Sequence, residues 1–276
     1  MSERSHYQPG VPCWVDTFQP DPEAAMGFYG ELFGWEFVGP VNMPGNPVGQ
    51  YFVARLRGRD VAGIGSQPVE SAPTTPAWNT CIAVANADEM VERASSAGGV
   101  ILASLQDALP AGRLAVLADP VGALFCVWEP GLRQGAQLVN EPSAWSLSVL
   151  HTGDLTRAQA FYADVFGWRH EAFEMAGAEL ILCRLPGYVG GQPEQPVPRD
   201  VVAVMLPLDR ADAPAEALPH WSVDFWIDDA DAAASKASAL GGSVVVPPYD
   251  TPGFRTAVLA DPHGAVFSVS TLIVDP

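Results

Sequence analysis

Phe28-Tyr29-Gly30-Glu31-Leu32-Phe33-Gly34-Trp35 returns later in the chain as Phe161-Tyr162-Ala163-Asp164-Val165-Phe166-Gly167-Trp168. A second string, Leu117-Ala118-Asp119-Pro120-Val121-Gly122-Ala123, returns as Leu259-Ala260-Asp261-Pro262-His263-Gly264-Ala265. The copies keep their order, at separations of 133 and 142 residues. This is an internal duplication, and a duplication sets the architecture before any single element is assigned. Differences between the two copies then carry the functional information.

The sequence around these strings predicts one plan, used four times. Val11 to Phe18 is apolar and extended, and Pro20-Asp21-Pro22-Glu23 then opens a helix. Asp21 suits the N-cap, Pro22 the first helical position and Glu23 the first turn. Ala25, Phe28, Tyr29 and Leu32 recur at helical spacing until Gly34 stops the run, as Gly167 does in the second copy. Phe28-Tyr29 and Phe161-Tyr162 read as the core face of their helices. Trp35–Val38, Tyr51–Leu56 and Val61–Ser66 follow as strands.

Trp78–Ala85 begins a second unit, with helix Asp88–Ala97, a Gly98-Gly99 stop, and strands at Val100–Ala103, Leu114–Ala118 and Leu124–Trp128. The second repeat matches: strand Leu147–Leu150, helix Asp154–Phe166, strand Leu180–Leu185, a Pro-rich Pro193–Arg199, then strand Trp221–Ile227 and helix Asp229–Leu240. Strands Ser243–Val246, Thr256–Ala260 and Val266–Thr271 close it. The expected class is α+β: four strand–helix–three-strand (βαβββ) modules paired into two cup-shaped eight-stranded sheets, because one four-stranded sheet with one helix cannot close alone. The expected division is a first domain at 8–130, a linker at 131–143 and a second domain at 144–274. Modules could pair within a repeat or be exchanged across the linker.

Hydrophobic residues make up 48 % of the 276 positions and charged residues 17 %, a globular balance. The formal net charge of −18 disfavours nucleic acid, which needs clustered Lys and Arg. It is compatible with plain solubility and with attraction of a cationic small molecule. No apolar run reaches the roughly 18 residues of a membrane span, and no basic segment leads into an apolar one at the start. The expectation is therefore a cytoplasmic protein without membrane contact, monomeric or homodimeric. Cys13, Cys81, Cys126 and Cys183 form no C-x-x-C pair, so four free thiols are expected.

The helix ending in Phe-Tyr-x-x-x-Phe-Gly-Trp, the Gly-Gly after the later helix and the Asp-Pro-x-Gly turn resemble the glyoxalase/bleomycin-resistance family of the vicinal oxygen chelate superfamily. The likeness runs from about Val11 to Thr271 and is nearest to the two-domain actinobacterial glyoxalase-like subgroup, whose members often carry the label hydroxylase. It implies a divalent metal in the cup, held by His, Gln or Glu on a module's first strand and Glu on its last. Here those positions fall on Trp14, Leu147, Asn79, Ser222, Cys126 and Ser268, and none is His or a carboxylate. The last strands of the first and third modules are expected near Ser66-Gln67 and Gly191-Gln192, again without a carboxylate. The resemblance then implies members that use the cup only to bind, with no metal and no cofactor, or metal-free enzymes of specialised metabolism acting on a polyketide-like or aromatic substrate.

Alternation along strands puts residues i and i+2 on one face. Trp14, Asp16 and Phe18 then share a face, as do Asn79 with Cys81, and Cys126 with Trp128. With Tyr51 they make an aromatic pocket bearing one carboxylate, suited to a flat, partly cationic aromatic ligand. Trp14 and Trp128 serve equally well as core filling. Asp16 needs a partner inside an apolar strand, either Arg55 or the ligand. In the second repeat, His151 shares a face with Leu147 and Val149, and His220, Ser222, Asp224 and Trp226 share another. His220 with Asp224 could form an acid–base pair, although a His beside Pro219 is as readily solvated. Cys126 lacks a local base and reads as an inert buried thiol. His263 reads as exposed in its turn.

Overall fold

The computed structural model describes residues 3–43, 46–67, 75–175, 178–190, 198–208 and 218–273. The first repeat contains β1 (Pro12–Gln19), α1 (Pro22–Phe33), β2 (Glu36–Met43), β3 (Asn46–Leu56), β4 (Arg59–Ser66), β5 (Trp78–Ala83), α2 (Ala87–Ser96), β6 (Val100–Ala108), β7 (Gly112–Ala118) and β8 (Leu124–Pro130). The second contains β9 (Trp145–Thr152), α3 (Leu155–Phe166), β10 (Arg169–Met175), β11 (Ala178–Arg184), β12 (Val201–Pro207), β13 (His220–Trp226), α4 (Ala230–Ala239), β14 (Ser243–Thr251), β15 (Phe254–Ala260) and β16 (Val266–Leu272).

The helix ends follow the chemistry read from the sequence. The Asp21 carboxylate accepts the Ala24 N–H at 3.0 Å, and Gly34 closes α1 at φ 73°. Asp154 and Gly167 do the same for α3. A left-handed residue after a helix is cheap only for glycine.

The strands form two eight-stranded sheets, ordered β2-β3-β4-β1-β5-β8-β7-β6 and β10-β11-β12-β9-β13-β16-β15-β14. Each sheet draws all its strands from one repeat. In each, the first strands of two modules run antiparallel at the centre, Asp16 opposite Asn79 and Val149 opposite Ser222. One expectation is corrected: the third module's last strand is β12, Val201–Pro207, and not near Gly191-Gln192, which lie with residues 193–197 outside the described residues. The strand's run Val201-Val202-Ala203-Val204-Met205 is continuously apolar, as a strand covered on both faces should be.

The duplicated strings meet across the repeats. α1 packs against α4 and α2 against α3. The Tyr29 hydroxyl donates to Asp261 Oδ2 at 2.9 Å and accepts from Trp78 Nε1 at 3.0 Å. Its counterpart Tyr162 donates to Asp119 Oδ2 at 3.2 Å and accepts from Trp221 Nε1 at 3.0 Å. Trp35 Nε1 donates to Ser143 O, and Trp168 Nε1 to Gly10 O, each the backbone just before the other repeat's first strand. The second glycine of each Gly-Gly pair receives an aromatic ring from the opposite repeat. A Cβ at Gly242 would come within 2.9 Å of Phe28, and one at Gly99 within 3.1 Å of Phe161. The repeated motifs therefore fasten the two halves back to back, leaving the cups facing outward.

Candidate functional site

The first cup is filled by its own side chains. Trp14 and Asp16 are only 5 % and 7 % exposed. Trp14 Nε1 donates to the Tyr51 hydroxyl at 2.8 Å, which donates to Asp16 Oδ2 at 2.9 Å, and Asn79 Nδ2 donates to Asp16 Oδ1 at 3.1 Å. The sequence makes room for this network with two glycines on β4. A Cβ at Gly63 would sit 1.9 Å from the Tyr51 hydroxyl, and one at Gly65 2.7 Å from the Phe18 ring. Burial raises the Asp16 carboxyl to about 6, against the pull of the Asn79 and Tyr51 hydrogen bonds and the charge of Arg133.

The Asp16 partner is not Arg55, which pairs with Asp60 at 2.7 Å. The segment after β8 straps the end of this cup. Leu132 and Arg133 bond back to the turn at Pro110-Ala111, Ala136 N–H to Cys13 O, and Gln137 N–H to Asp60 O. Arg133 lies 5.5 Å above the Trp14 ring, and its carbonyl accepts from Trp128 Nε1. The four cysteines are free and buried, and Cys126 lies level with Cys81 on the neighbouring strand. The Cys126 contact, then burial, push the Cys81 thiol well up. A thiol held protonated is a poor nucleophile.

The second cup is lined differently. Its facing positions Leu147, Val149, His151, Ser222, Asp224 and Trp226 are half-buried, while the alternating residues Ser148, Leu150, Trp221, Val223 and Phe225 are buried against the other repeat. One wall is hydrocarbon: Leu180, Leu182 and Val204, with Leu147, Val149 and Leu206 packed against them. The other is hydroxylic. Ser270 Oγ donates to Asp224 Oδ1 and Ser146 Oγ to Asp224 Oδ2, both at 2.7 Å, and Thr256 bonds Ser270 at 3.0 Å.

His151 Nε2 meets Ser222 Oγ at 2.9 Å and its ring stacks on His220, centroids 4.6 Å apart. Trp226 lies toward the other end, 6.4 Å from Phe254. His220 and Asp224 do not pair: His220 Nδ1 bonds Leu218 O, and the serines occupy Asp224. His263 is half-buried, not exposed.

Burial raises the Asp224 carboxyl to about 6 against its two serine bonds. The folded value lies above the ordinary 3.8. Below about pH 3 the residue is neutral in folded and unfolded chains alike. As pH rises through 4 to 6 the unfolded chain ionises first, and the folded state loses stability, fully so above about 6. Asp224→Asn keeps both serine contacts, since a hydroxyl donates or accepts. The variant should match the wild type at about pH 3 and exceed it at about pH 8 by about 1–3 kcal/mol. Urea titrations at the two pH values check this, and equal stability at pH 8 would refute it.

The positions that would hold the superfamily's metal do face the cups, but their chemistry does not fit one. Trp14, Asn79 and Cys126 sit on three neighbouring strands of the first cup and Leu147, Ser222 and Ser268 on three of the second. Indole and leucine offer no donor pair, and divalent cations select imidazole and carboxylate ligands. Among the described residues no three His, Cys, Asp or Glu side chains converge. Sequence reasoning missed the glycine floor, the Arg133 strap and the hydrocarbon wall. Alternation in Gly63-Ile64-Gly65 and in the Val201–Met205 run was the available signal.

A family model for the glyoxalase-like domain matches residues 14–128 and again 147–270. The chain belongs to the glyoxalase-like family, in its two-domain actinobacterial form within the vicinal oxygen chelate superfamily. This glyoxalase-like chain is 38 % identical to "Putative glyoxylase CFP32" of Mycobacterium tuberculosis over 98 % of its own length and 97 % of the relative. It is 34 % identical to "Anthracycline biosynthesis protein DauV" of Streptomyces sp. (strain C5), over 97 % of its own length and 95 % of that protein. Among solved structures, the Mn(II)-bound glyoxalase of Novosphingobium aromaticivorans superposes with a TM-score of 0.62 at 17 % identity, covering 98 % of this chain and 83 % of the other. BphC, a halotolerant catechol dioxygenase, gives 0.60 at 12 %, covering 97 % and 89 %. At those identities the structural likeness concerns the fold alone. Among the described residues no helix is long and apolar enough to cross a membrane.

Proposed function

We propose that this glyoxalase-like protein binds a hydrophobic, aromatic small molecule without a metal, in specialised metabolism or self-protection, and that the second cup is the binding site. The observation that carries the reading is the contrast between the cups. At the centre of the first, Trp14 and Asp16 are buried and tied to Tyr51, whereas the corresponding Leu147 and Val149 of the second are half-buried between a hydrocarbon wall and the Ser222–Asp224 edge. An apolar wall facing a hydroxyl wall suits a flat molecule with one hydrocarbon edge and one oxygenated edge. The relatives named for anthracycline biosynthesis support that class. His151, His220 and Trp226 stand at the ends of the trough, where they limit ligand length.

The test is calorimetric titration with alizarin, a hydroxylated anthraquinone, on protein purified without added metal and assayed for metal content. Binding at about one site per chain with no stoichiometric metal is expected. Two equivalent sites, or binding that requires a metal, would sink the reading. The alternative is an enzyme of the same fold acting on such an aromatic or polyketide-like substrate. The His151–Ser222 contact and an Asp224 carboxyl near 6 favour it. Mass-spectrometric detection of a converted product would select the enzyme.

A further inference from the structure

A chain of net charge −18 carries, outside both troughs, a cavity of about 750 Å3 edged by Arg4, Arg59 and Arg133. It lies at the strapped end of the first cup, between the N-terminal arm, the strap and the turn at Pro110-Ala111. Its walls are fixed in advance: Glu3 bridges Leu138, Arg4 N–H donates to Gln137 O at 2.9 Å, and the Tyr7 hydroxyl donates to Ala136 O at 2.7 Å.

The charges do not cancel. Arg59 is engaged by Glu3 at 3.2 Å and Asp60 by Arg55 at 2.7 Å. Among the described residues, neither Arg4 nor Arg133 has a carboxylate within ion-pair distance, and Arg4 Nε is buried without an acceptor. A buried donor left unmade is unfavourable until something accepts from it. Arg133 is held by its stack on Trp14. A guanidinium fork is matched in shape by a carboxylate. The cavity is far larger than a single inorganic ion needs and lies within the roughly 300–1,000 Å3 of small-molecule sites.

We propose that this cavity binds a small organic acid, its carboxylate taken by Arg4 and Arg133. Benzoate is the probe, titrated calorimetrically at low salt against the full chain, with inorganic phosphate alongside. Benzoate should bind, and Arg4→Gln and Arg133→Gln should each weaken it at least tenfold without lowering the melting temperature. Arg133→Lys keeps the charge, loses the fork and should also weaken it. Alizarin affinity at the second cup should not change in any of these variants.

If Arg4→Gln loosens the arm and melts early, Arg133→Gln decides, because its backbone contacts remain. No benzoate binding, or binding unchanged by Arg133→Gln, overturns the proposal. Phosphate bound as tightly as benzoate overturns the assignment to an organic acid.

Discussion

Asp119→Ala is expected to cost about 3–5 kcal/mol of stability. Asp119 is 2 % exposed, and its Oδ1 accepts three backbone N–H groups, from Val121, Gly122 and Ala123, at 2.8–3.0 Å. Its Oδ2 accepts the Tyr162 hydroxyl of the other repeat. Alanine leaves those donors without a partner beside a buried Trp221–Tyr162 pair. Asp261→Ala should cost a similar amount, since Asp261 holds its own turn and takes both Tyr29 and Gln19. Tyr162→Phe removes two hydrogen bonds, to Asp119 and from Trp221, and should cost about 1–3 kcal/mol. Urea unfolding measures all three. A loss under about 1 kcal/mol for Asp119→Ala would mean that the turn is held by its backbone alone and that the repeats are not fastened through it.

That device also marks how far the sequence can be read. The repeat, the helix caps at Asp21 and Asp154 and the stops at Gly34 and Gly167 are local chemistry, written within a few residues of where they act. Phe28-Tyr29 was legible as core, but its partner Asp261 lies 232 residues away, and one sequence holds no signal that joins them. The same limit applied to the cups. Alternation placed Trp14 with Asp16 and Ser222 with Asp224, and the register agrees. It could not say that Arg55 turns to Asp60, or that the linker brings Arg133 over Trp14, because both depend on which strand end meets which turn. The missed strand Val201–Pro207 had a readable pattern, hidden by the expectation that its module would finish soon after Leu185.

The two cups show how a duplicated fold divides its duties. Trp14 and Leu147 occupy the same place in their repeats, as do Asp16 and Val149. Indole and phenol in the first trough are buried area that stabilises; leucine and valine in the second lie half-buried against the hydrocarbon wall. Glycines at positions 63 and 65 keep the first filling flat against its sheet, where a Cβ would collide with Tyr51 or Phe18. The filling of the first cup therefore rests on three strands, β1, β3 and β4, and where it has Gly63 and Gly65 the second has Val204 and Leu206.

Leu147→Trp, which copies Trp14 into the second cup, is expected to weaken alizarin about a hundredfold, or about 2.7 kcal/mol. Leu147 is half-buried and faces the trough beside the hydrocarbon wall, so the larger ring takes the place the ligand would occupy. The converse change, Trp14→Ala, should leave alizarin affinity unchanged in the folded protein and cost about 3–5 kcal/mol of stability. It empties a site that is 5 % exposed and removes the donor to Tyr51 and the platform under Arg133. Melts and titrations of the two variants together locate the ligand. Unchanged affinity in Leu147→Trp would remove the ligand from the second cup. Lost affinity with an intact melt in Trp14→Ala would move it to the first, where Trp14 would then be its stacking wall.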